Sequence, residues 1–236
     1  MPFGLQESRH AEPCYGPERL MEFMAKKRPT KREPSPKAVW QTAVSPGPML
    51  HAAQGLLSPR RLRLFAIACS KSLWGQNGAW AGYAELLQLA ELMADSGTGQ
   101  RMRKLSDQAV GYRRVAYPHG VIHLLDEDAG RAADVWTHKL GLAPEELKGL
   151  ANVLREIGGN PFAEVHLDRA LVAWRDGTIS KLAQACYDSN DFSTIGILGD
   201  ALEEAGCSEP IILEHARSGQ THYRGCWMVD LVLAKE

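Results

Sequence analysis

Apolar residues recur at helical spacing in one segment after another, and proline or glycine separates the segments. Ser58-Pro59 starts one of them, because serine is a favoured N-cap and proline is favoured at the first helical position. The apolar positions that follow lie three or four residues apart, on one helix face: Leu62, Phe65, Ala66, Cys69 and Leu73. Strictly alternating segments are scarce. The pattern therefore predicts an all-α, multi-helix domain with bundle-like or orthogonal packing.

The same reasoning places further helices along the rest of the chain. They are expected at about 79–94, 100–117, 121–140, 144–157, 168–175, 178–187, 192–205, 210–217 and 225–234. Gly159-Asn160-Pro161-Phe162 cannot continue a regular helix and predicts a structured turn.

Residues 1–37 differ in composition from the rest and are expected to form an irregular, Pro-rich and basic extension. Its prolines break any long element: Pro13, Pro17, Pro29, Pro34 and Pro36. Residues 38–236 are expected to form a single α-helical domain, within which 141–160 is a candidate sub-boundary. A chain of 236 residues is long enough to bury a full core.

The composition argues against membrane and secreted classes. No run of 18 apolar residues occurs, and the N-terminus has no apolar signal region. The five cysteines are an odd number without the spacing of a disulfide framework. A cytoplasmic protein with no membrane partner is therefore expected. The chain also contains no P-loop or dinucleotide-binding motif.

The near-zero net charge of −1 hides a polarity along the chain. Residues 1–140 carry 19 basic and 13 acidic side chains, whereas residues 141–236 carry 8 and 15. Such polarity favours association with a protein partner or with a polyanion, although a polarised solvated surface is the simpler interpretation. The candidate nucleic-acid contacts are Lys26, Lys27, Arg28, Lys31, Arg32, Arg60, Arg61 and Arg63. For the first five of them a solubilising linker is the favoured interpretation.

Reactive side chains are concentrated near the C-terminus. Cys207, His215, His222 and Cys226 have the spacing C-x7-H-x6-H-x3-C and are candidate zinc ligands. Structural zinc sites usually contain a close ligand pair such as C-x2-4-C, which is missing here. Zinc is therefore the alternative to an expectation of no cofactor, and buried structural cysteines are the simpler interpretation.

A thiol enzyme is a further hypothesis for the same segment. Cys226 would be the nucleophile at a helix start, with His222 or His215 as base and Asp230 or Asp200 as the orienting acid. The adjacent Trp227 favours burial instead. Asp200 and Glu204 lie four residues apart on one helix face, and we expect them to form structural ion pairs with Arg217 or Arg224.

Three C-terminal motifs, GNPF, LGDALEEAGC and HYRGCWMVD, resemble the ending of a family abundant in planctomycetes. The resemblance covers about residues 38–75 and 158–236, with a divergent middle. It implies kinship without an activity. Relatives often carry cysteines where this chain has Ile67, Ser70 and Ala216, which weakens any scheme that needs a full cysteine set.

These observations predict a non-catalytic accessory or protein-interaction module, as a subunit of a larger assembly. The expected structural contacts of its C-terminal cap involve Asp200, Glu204, Arg224, Trp227 and Asp230. The alternatives are a nucleic-acid-associated protein that uses the basic N-terminal half, and a zinc- or thiol-dependent enzyme centred on the C-terminal cysteines and histidines.

Overall fold

The computed structural model describes residues 33–74, 83–97, 100–112, 121–138 and 141–235. Contacts divide the chain into Met1–Pro34 and Ser35–Glu236, and the fold described below belongs to the second unit. The basic residues from Lys26 to Arg32 lie outside the described part of the chain. The predicted function of these residues stays a prediction.

The described residues form helices and no strands, so the predicted all-α class is confirmed. The α-helices are α1 (Pro36–Thr42), α2 (Pro46–Ala52), α3 (Pro59–Trp74), α4 (Ala84–Asp95), α5 (Gln100–Tyr112), α6 (Ala129–His138), α7 (Pro144–Gly158), α8 (Arg169–Val172), α9 (Trp174–Ser189), α10 (Ile195–Glu204), α11 (Pro210–Ala216) and α12 (Trp227–Leu233). A 3-10 helix spans Val121–Leu125. Among these helices none is long and apolar enough to cross a bilayer.

The predicted helix over 121–140 is wrong as a single element. The chain forms the 3-10 helix first and then restarts as α6. Asp128 explains the interruption, because its Oδ1 accepts hydrogen bonds from the backbone N–H groups of Gly130 at 2.8 Å and Arg131 at 3.3 Å. An aspartate in this role caps the start of a new helix, which apolar spacing alone does not reveal.

A first core is built around α3, which packs against α4, α6 and α7. Its apolar face is fully buried at Leu64, Phe65 and Ala66. Burying a side chain such as Leu64 or Phe65 contributes about 1.5–3 kcal/mol, so α3 is the central element of this core.

A second core follows in α8 to α12, where α9 packs against α10 and α12. Tyr187, Leu202 and Met228 are among its most buried members. The first core uses residues 40–157 and the second uses residues 167–232. The turn between them begins at Gly159, where the backbone has a φ of +61°. Asn160 Oδ1 then accepts the N–H of Phe162 at 3.1 Å, as expected for the predicted structured turn.

Candidate metal centre

Four potential metal ligands meet where the second core packs on α7. Glu156 comes from the last turn of α7, His215 from the end of α11, His222 from the following loop, and Cys226 from the N-cap of α12. One donor atom from each lies within 4.8 Å of the other three. We call Glu156, His215, His222 and Cys226 the four-donor cluster.

Four separations between donor atoms lie near the edges of a tetrahedral site. His215 Nε2 lies 3.2 Å from Cys226 Sγ and 3.3 Å from Glu156 Oε2. His222 Nδ1 lies 3.0 Å from the other oxygen, Glu156 Oε1, and 4.0 Å from Cys226 Sγ. Zinc bonded to nitrogen at 2.0–2.1 Å and to sulfur at 2.3 Å requires edges of about 3.3–3.6 Å. Since the four donor atoms lie within 4.8 Å of one another, the ligands would have to draw together around a zinc ion.

The cluster is shielded from solvent. The side chains of Glu156 and His222 are 3% and 4% exposed, that of His215 is 10% exposed, and Cys226 is fully buried. Burial raises the pKa of the Cys226 thiol well above its usual value. Burial also lowers the pKa of His215 to about 4. Without a bound cation, these two side chains are therefore uncharged at neutral pH.

Two glycines with left-handed backbone conformations bring the ligands together. Gly225 has a φ of +93°, and a Cβ at this position would lie 2.8 Å from Leu64 Cδ1. The chain can therefore approach α3 closely just before it reaches Cys226. Gly159 has a φ of +61°, and a Cβ there would lie 3.1 Å from Trp227 Cγ. Only glycine adopts such a conformation at this closeness without strain.

Neighbouring side chains hold the cluster through hydrogen bonds. Trp227 Nε1 donates to His215 Nδ1 at 3.1 Å, and Gln220 Nε2 donates to Glu156 Oε2 at 2.7 Å. The buried Nε2 of His222 has no hydrogen-bond partner among the residues that the structure describes. An unpartnered buried nitrogen on a candidate ligand is uncommon, since most buried polar atoms are satisfied.

A groove opens beside the cluster, with a volume of about 460 Å³. It runs between the first turn after α7 and the exposed side of α11. Trp40, Arg155, His215, Gln220 and Trp227 are among the residues that line it. One edge of the four-donor cluster therefore borders a cavity of ligand size.

The four-donor cluster contains three of the four predicted zinc ligands. Cys207 is also buried, at 6% exposure, but it packs in the second core and lies outside the cluster. Glu156 stands in its place, 59 residues before His215. Spacing within the C-terminal segment could not reveal it. The available signal was an acidic residue among the apolar positions of α7, between Val153 and Ile157.

The arrangement does not favour a thiol nucleophile. Cys226 Sγ has no solvent access and its pKa is raised, whereas an activated cysteine needs a lowered pKa and an approach path. The candidate orienting acids are also elsewhere. Asp230 pairs with Arg60 and Asp200 pairs with Arg217.

The arginines of α3 do not form the basic face expected from the sequence. Arg63 is 2% exposed and donates to the carbonyl oxygens of Leu124 and Glu127. Arg61 donates to the Gly158 carbonyl oxygen. Arg60 faces inward and pairs with the carboxylates of Asp95 and Asp230. These guanidinium groups are hydrogen-bonded to backbone carbonyls and carboxylates inside the protein. A phosphate backbone therefore cannot reach Arg60 and Arg63.

Arg60 belongs to a charge network that joins the two cores, hereafter the ion-pair network. Its members are Arg60, Lys71, Glu91, Asp95, Tyr187, Arg224 and Asp230. Arg60 donates to both oxygens of Asp230, at 2.6 and 3.1 Å, and to Asp95 Oδ1 at 3.0 Å. Arg224 donates to Asp95 Oδ2 at 2.8 Å and its guanidinium stacks 4.1 Å from the Tyr187 ring centre.

The predicted structural contacts are partly as expected. Arg217 pairs with Asp200 at 2.9 Å, as predicted, and Trp227 is buried at 8% exposure. Arg224 and Glu204 pair with other residues than predicted. Arg224 binds Asp95, and Glu204 lies 3.5 Å from Arg175.

Comparison with protein-family models, with curated proteins and with solved structures finds no match for this chain. The function must therefore be inferred from the chemistry of the site.

Proposed function

We propose that this protein is a non-catalytic accessory module that binds one zinc ion in the four-donor cluster. The observation that carries the proposal is the convergence of four donor atoms, from a carboxyl group, two imidazoles and a thiol, within 4.8 Å in a buried position. The ion would join α7 of the first core to α11 and α12 of the second. It would act as a removable cross-link between them.

The donor set favours zinc over other biological cations. Calcium and magnesium prefer six or more oxygen ligands, and this cluster offers only the oxygens of Glu156. Imidazole and thiolate suit zinc, and four protein donors are the number that a tetrahedral structural zinc site uses. Cobalt(II) should occupy the same site and report a sulfur ligand through its absorption.

The closed geometry supports a structural ion. Catalytic zinc sites keep one position open for water or substrate, whereas structural sites use four protein ligands. Here four side chains supply a donor each, and His215 is the most exposed of them at 10%. A metal-stabilised accessory module is consistent with this arrangement.

A protein partner in the cytoplasm is part of the proposal. The charge polarity of the chain supports an association with another protein. The four cysteines in the described residues are free thiols, as in a reducing compartment. Nucleic-acid binding is the less favoured alternative, because it would depend on Lys26 to Arg32 without the support of Arg60 and Arg63.

The test is metal content with a matched pair of cysteine variants. Elemental analysis of purified wild type should give about one zinc per chain. Cys226→Ser should lose the ion, because serine is a poor zinc ligand. Cys207→Ser makes the same change at a buried cysteine outside the cluster and should retain it. A folded wild type that takes up no zinc, or equal zinc loss in both variants, contradicts the proposal.

A further inference from the structure

The geometry points to Trp227 as a positioning residue that opposes metal binding, because its indole N–H donates to Nδ1 of His215, the nitrogen that must carry the ring proton when Nε2 binds an ion. This inference rests on the metal-binding function proposed above and concerns the regulation of that site. Its starting point is the hydrogen bond from Trp227 Nε1 to His215 Nδ1, 3.1 Å long.

The hydrogen bond determines which nitrogen of His215 carries the proton. An indole N–H can only donate, so His215 Nδ1 must accept with its lone pair. A neutral imidazole has one N–H, which must then be at Nε2. That N–H faces two acceptors, Cys226 Sγ at 3.2 Å and Glu156 Oε2 at 3.3 Å. The metal-free arrangement is therefore consistent at both ring nitrogens.

Metal binding requires the opposite tautomer. Nε2 of His215 must offer its lone pair to the ion, and the ring proton then lies on Nδ1. A metal-bound histidine normally donates this second N–H to a carboxylate, a carbonyl or water. Here it would face the indole N–H of Trp227, which places two donors against each other.

The two neighbours of His215 Nδ1 differ in their ability to adapt. Gln220 Nε2 lies 3.3 Å from Nδ1, and rotation of this exposed amide by half a turn would offer its oxygen as an acceptor, at the cost of the hydrogen bond from Nε2 to Glu156 Oε2. Trp227 has no acceptor to offer. Its indole is also held against Gly159, where even a Cβ would lie 3.1 Å from Trp227 Cγ. The ion must therefore break the hydrogen bond between Trp227 and His215.

This competition also links the ion to the groove. Trp227 and His215 both line the cavity beside the cluster, so a change in their contact alters its wall. A metal-bound protein would thus present a different groove from a metal-free one. Because breaking this hydrogen bond costs free energy, it raises the metal concentration at which the groove changes.

The test compares zinc affinities, measured by competition with a chelator, for wild type and two Trp→Phe variants. Trp227→Phe keeps an aromatic ring and removes the N–H, so its zinc affinity should rise about fivefold, the effect of one hydrogen bond. Trp40→Phe is the matched control. Trp40 lines the same groove, but its Nε1 donates to the Gly159 carbonyl oxygen at 3.0 Å, outside the cluster. The zinc affinity of Trp40→Phe should equal that of wild type.

The outcomes separate this inference from the proposed function. If wild type binds zinc and Trp227→Phe binds it equally or more weakly, the inference is overturned and metal binding stands. If wild type binds none, both fail. Nitrogen–proton correlation spectra give a second readout that needs no variant. In zinc-free wild type His215 must carry its proton on Nε2, and zinc must move it to Nδ1; a proton on Nδ1 without zinc overturns the inference.

Discussion

The four-donor cluster and the ion-pair network both connect the two cores, but they do so with different chemistry. Each connects a helix of the first core to the segment around α12 of the second core. Glu156 makes the connection in the cluster, and Arg60 makes it in the network. The network contains its own cations. The cluster contains a carboxyl group, two imidazoles and a thiol, and no cationic side chain.

The difference lies in charge balance. In the ion-pair network the cations Arg60, Lys71 and Arg224 face the acids Glu91, Asp95 and Asp230. Buried charges are tolerated when they are paired and hydrogen-bonded, and this network pairs each of its charges internally, with only Nε of Arg224 lacking a hydrogen-bond partner among its atoms in the described structure. The four-donor cluster consists of a carboxyl group, two imidazoles and a thiol, without a lysine or arginine among its four members. The ion-pair network is complete when the chain folds, whereas under the proposed function the cluster would be completed by an ion.

The largest expected effect comes from breaking the ion-pair network at Asp230. Asp230→Asn leaves the inward-facing Arg60 with Asp95 as its remaining carboxylate partner, which should lower the free energy of unfolding by about 3 kcal/mol. Urea denaturation measures this. Asp188→Asn, at an exposed aspartate of α9, is the control and should change stability by less than about 0.5 kcal/mol. Equal effects of the two variants would show that the network is not a stabilising connection.

Zinc should produce the next largest effect, because only the folded protein offers the four donors together. At a free zinc concentration hundredfold above the dissociation constant, the free energy of unfolding should rise by about 2.7 kcal/mol. A chelator should reverse the gain, as thermal unfolding curves would show. Asp230→Asn should gain the same increment, since its defect is in the other connection. A gain that persists in Cys226→Ser would place the ion elsewhere.

Asp95→Asn tests the network through pH. Burial tends to raise the pKa of Asp95, but hydrogen bonds from Tyr187, Arg224 and Arg60 outweigh it and hold the pKa below its usual value. A carboxyl whose pKa is lowered on folding stabilises the protein above its unfolded pKa and loses this contribution as the pH falls. Asp95→Asn should therefore be less stable by about 2 kcal/mol at neutral pH.

The gap between wild type and Asp95→Asn should begin to narrow as the pH falls below about 4, the pKa of an aspartate in the unfolded state, and should close once the pH is below the lowered pKa of Asp95 in the folded state. Urea denaturation at several pH values measures the gap. A difference that stays constant down to strongly acidic pH would mean that the Asp95 charge does not contribute.

The smallest effect is expected at Arg217, which pairs with Asp200 and Glu203 on the surface. These side chains are 43% to 67% exposed, so water and salt screen their attraction. Arg217→Ala should therefore lower the free energy of unfolding far less than Asp230→Asn does, and added salt should reduce the difference further. A loss as large as that of Asp230→Asn would remove the distinction between buried and exposed pairs.

Local features of the fold were predictable because they depend on neighbours in the chain. The start of α3 at Ser58-Pro59, the turn at Gly159 and the pair between Asp200 and Arg217 follow from spacing and local chemistry. The break before α6 was missed because a single capping aspartate outweighs apolar spacing. Arg60 was misjudged, because a cluster of arginines has the same sequence pattern whether it faces solvent or acids.

The sequence by itself determined the all-α class, the approximate helix bounds and three members of the four-donor cluster, because helical periodicity and short spacings are properties of neighbouring residues. Only the tertiary structure decided that Glu156, and not Cys207, joins His215, His222 and Cys226. It also decided that Arg60 faces Asp230. Both contacts connect residues far apart in the chain, and the packing of the second core against α7 and α3 sets the distances between them.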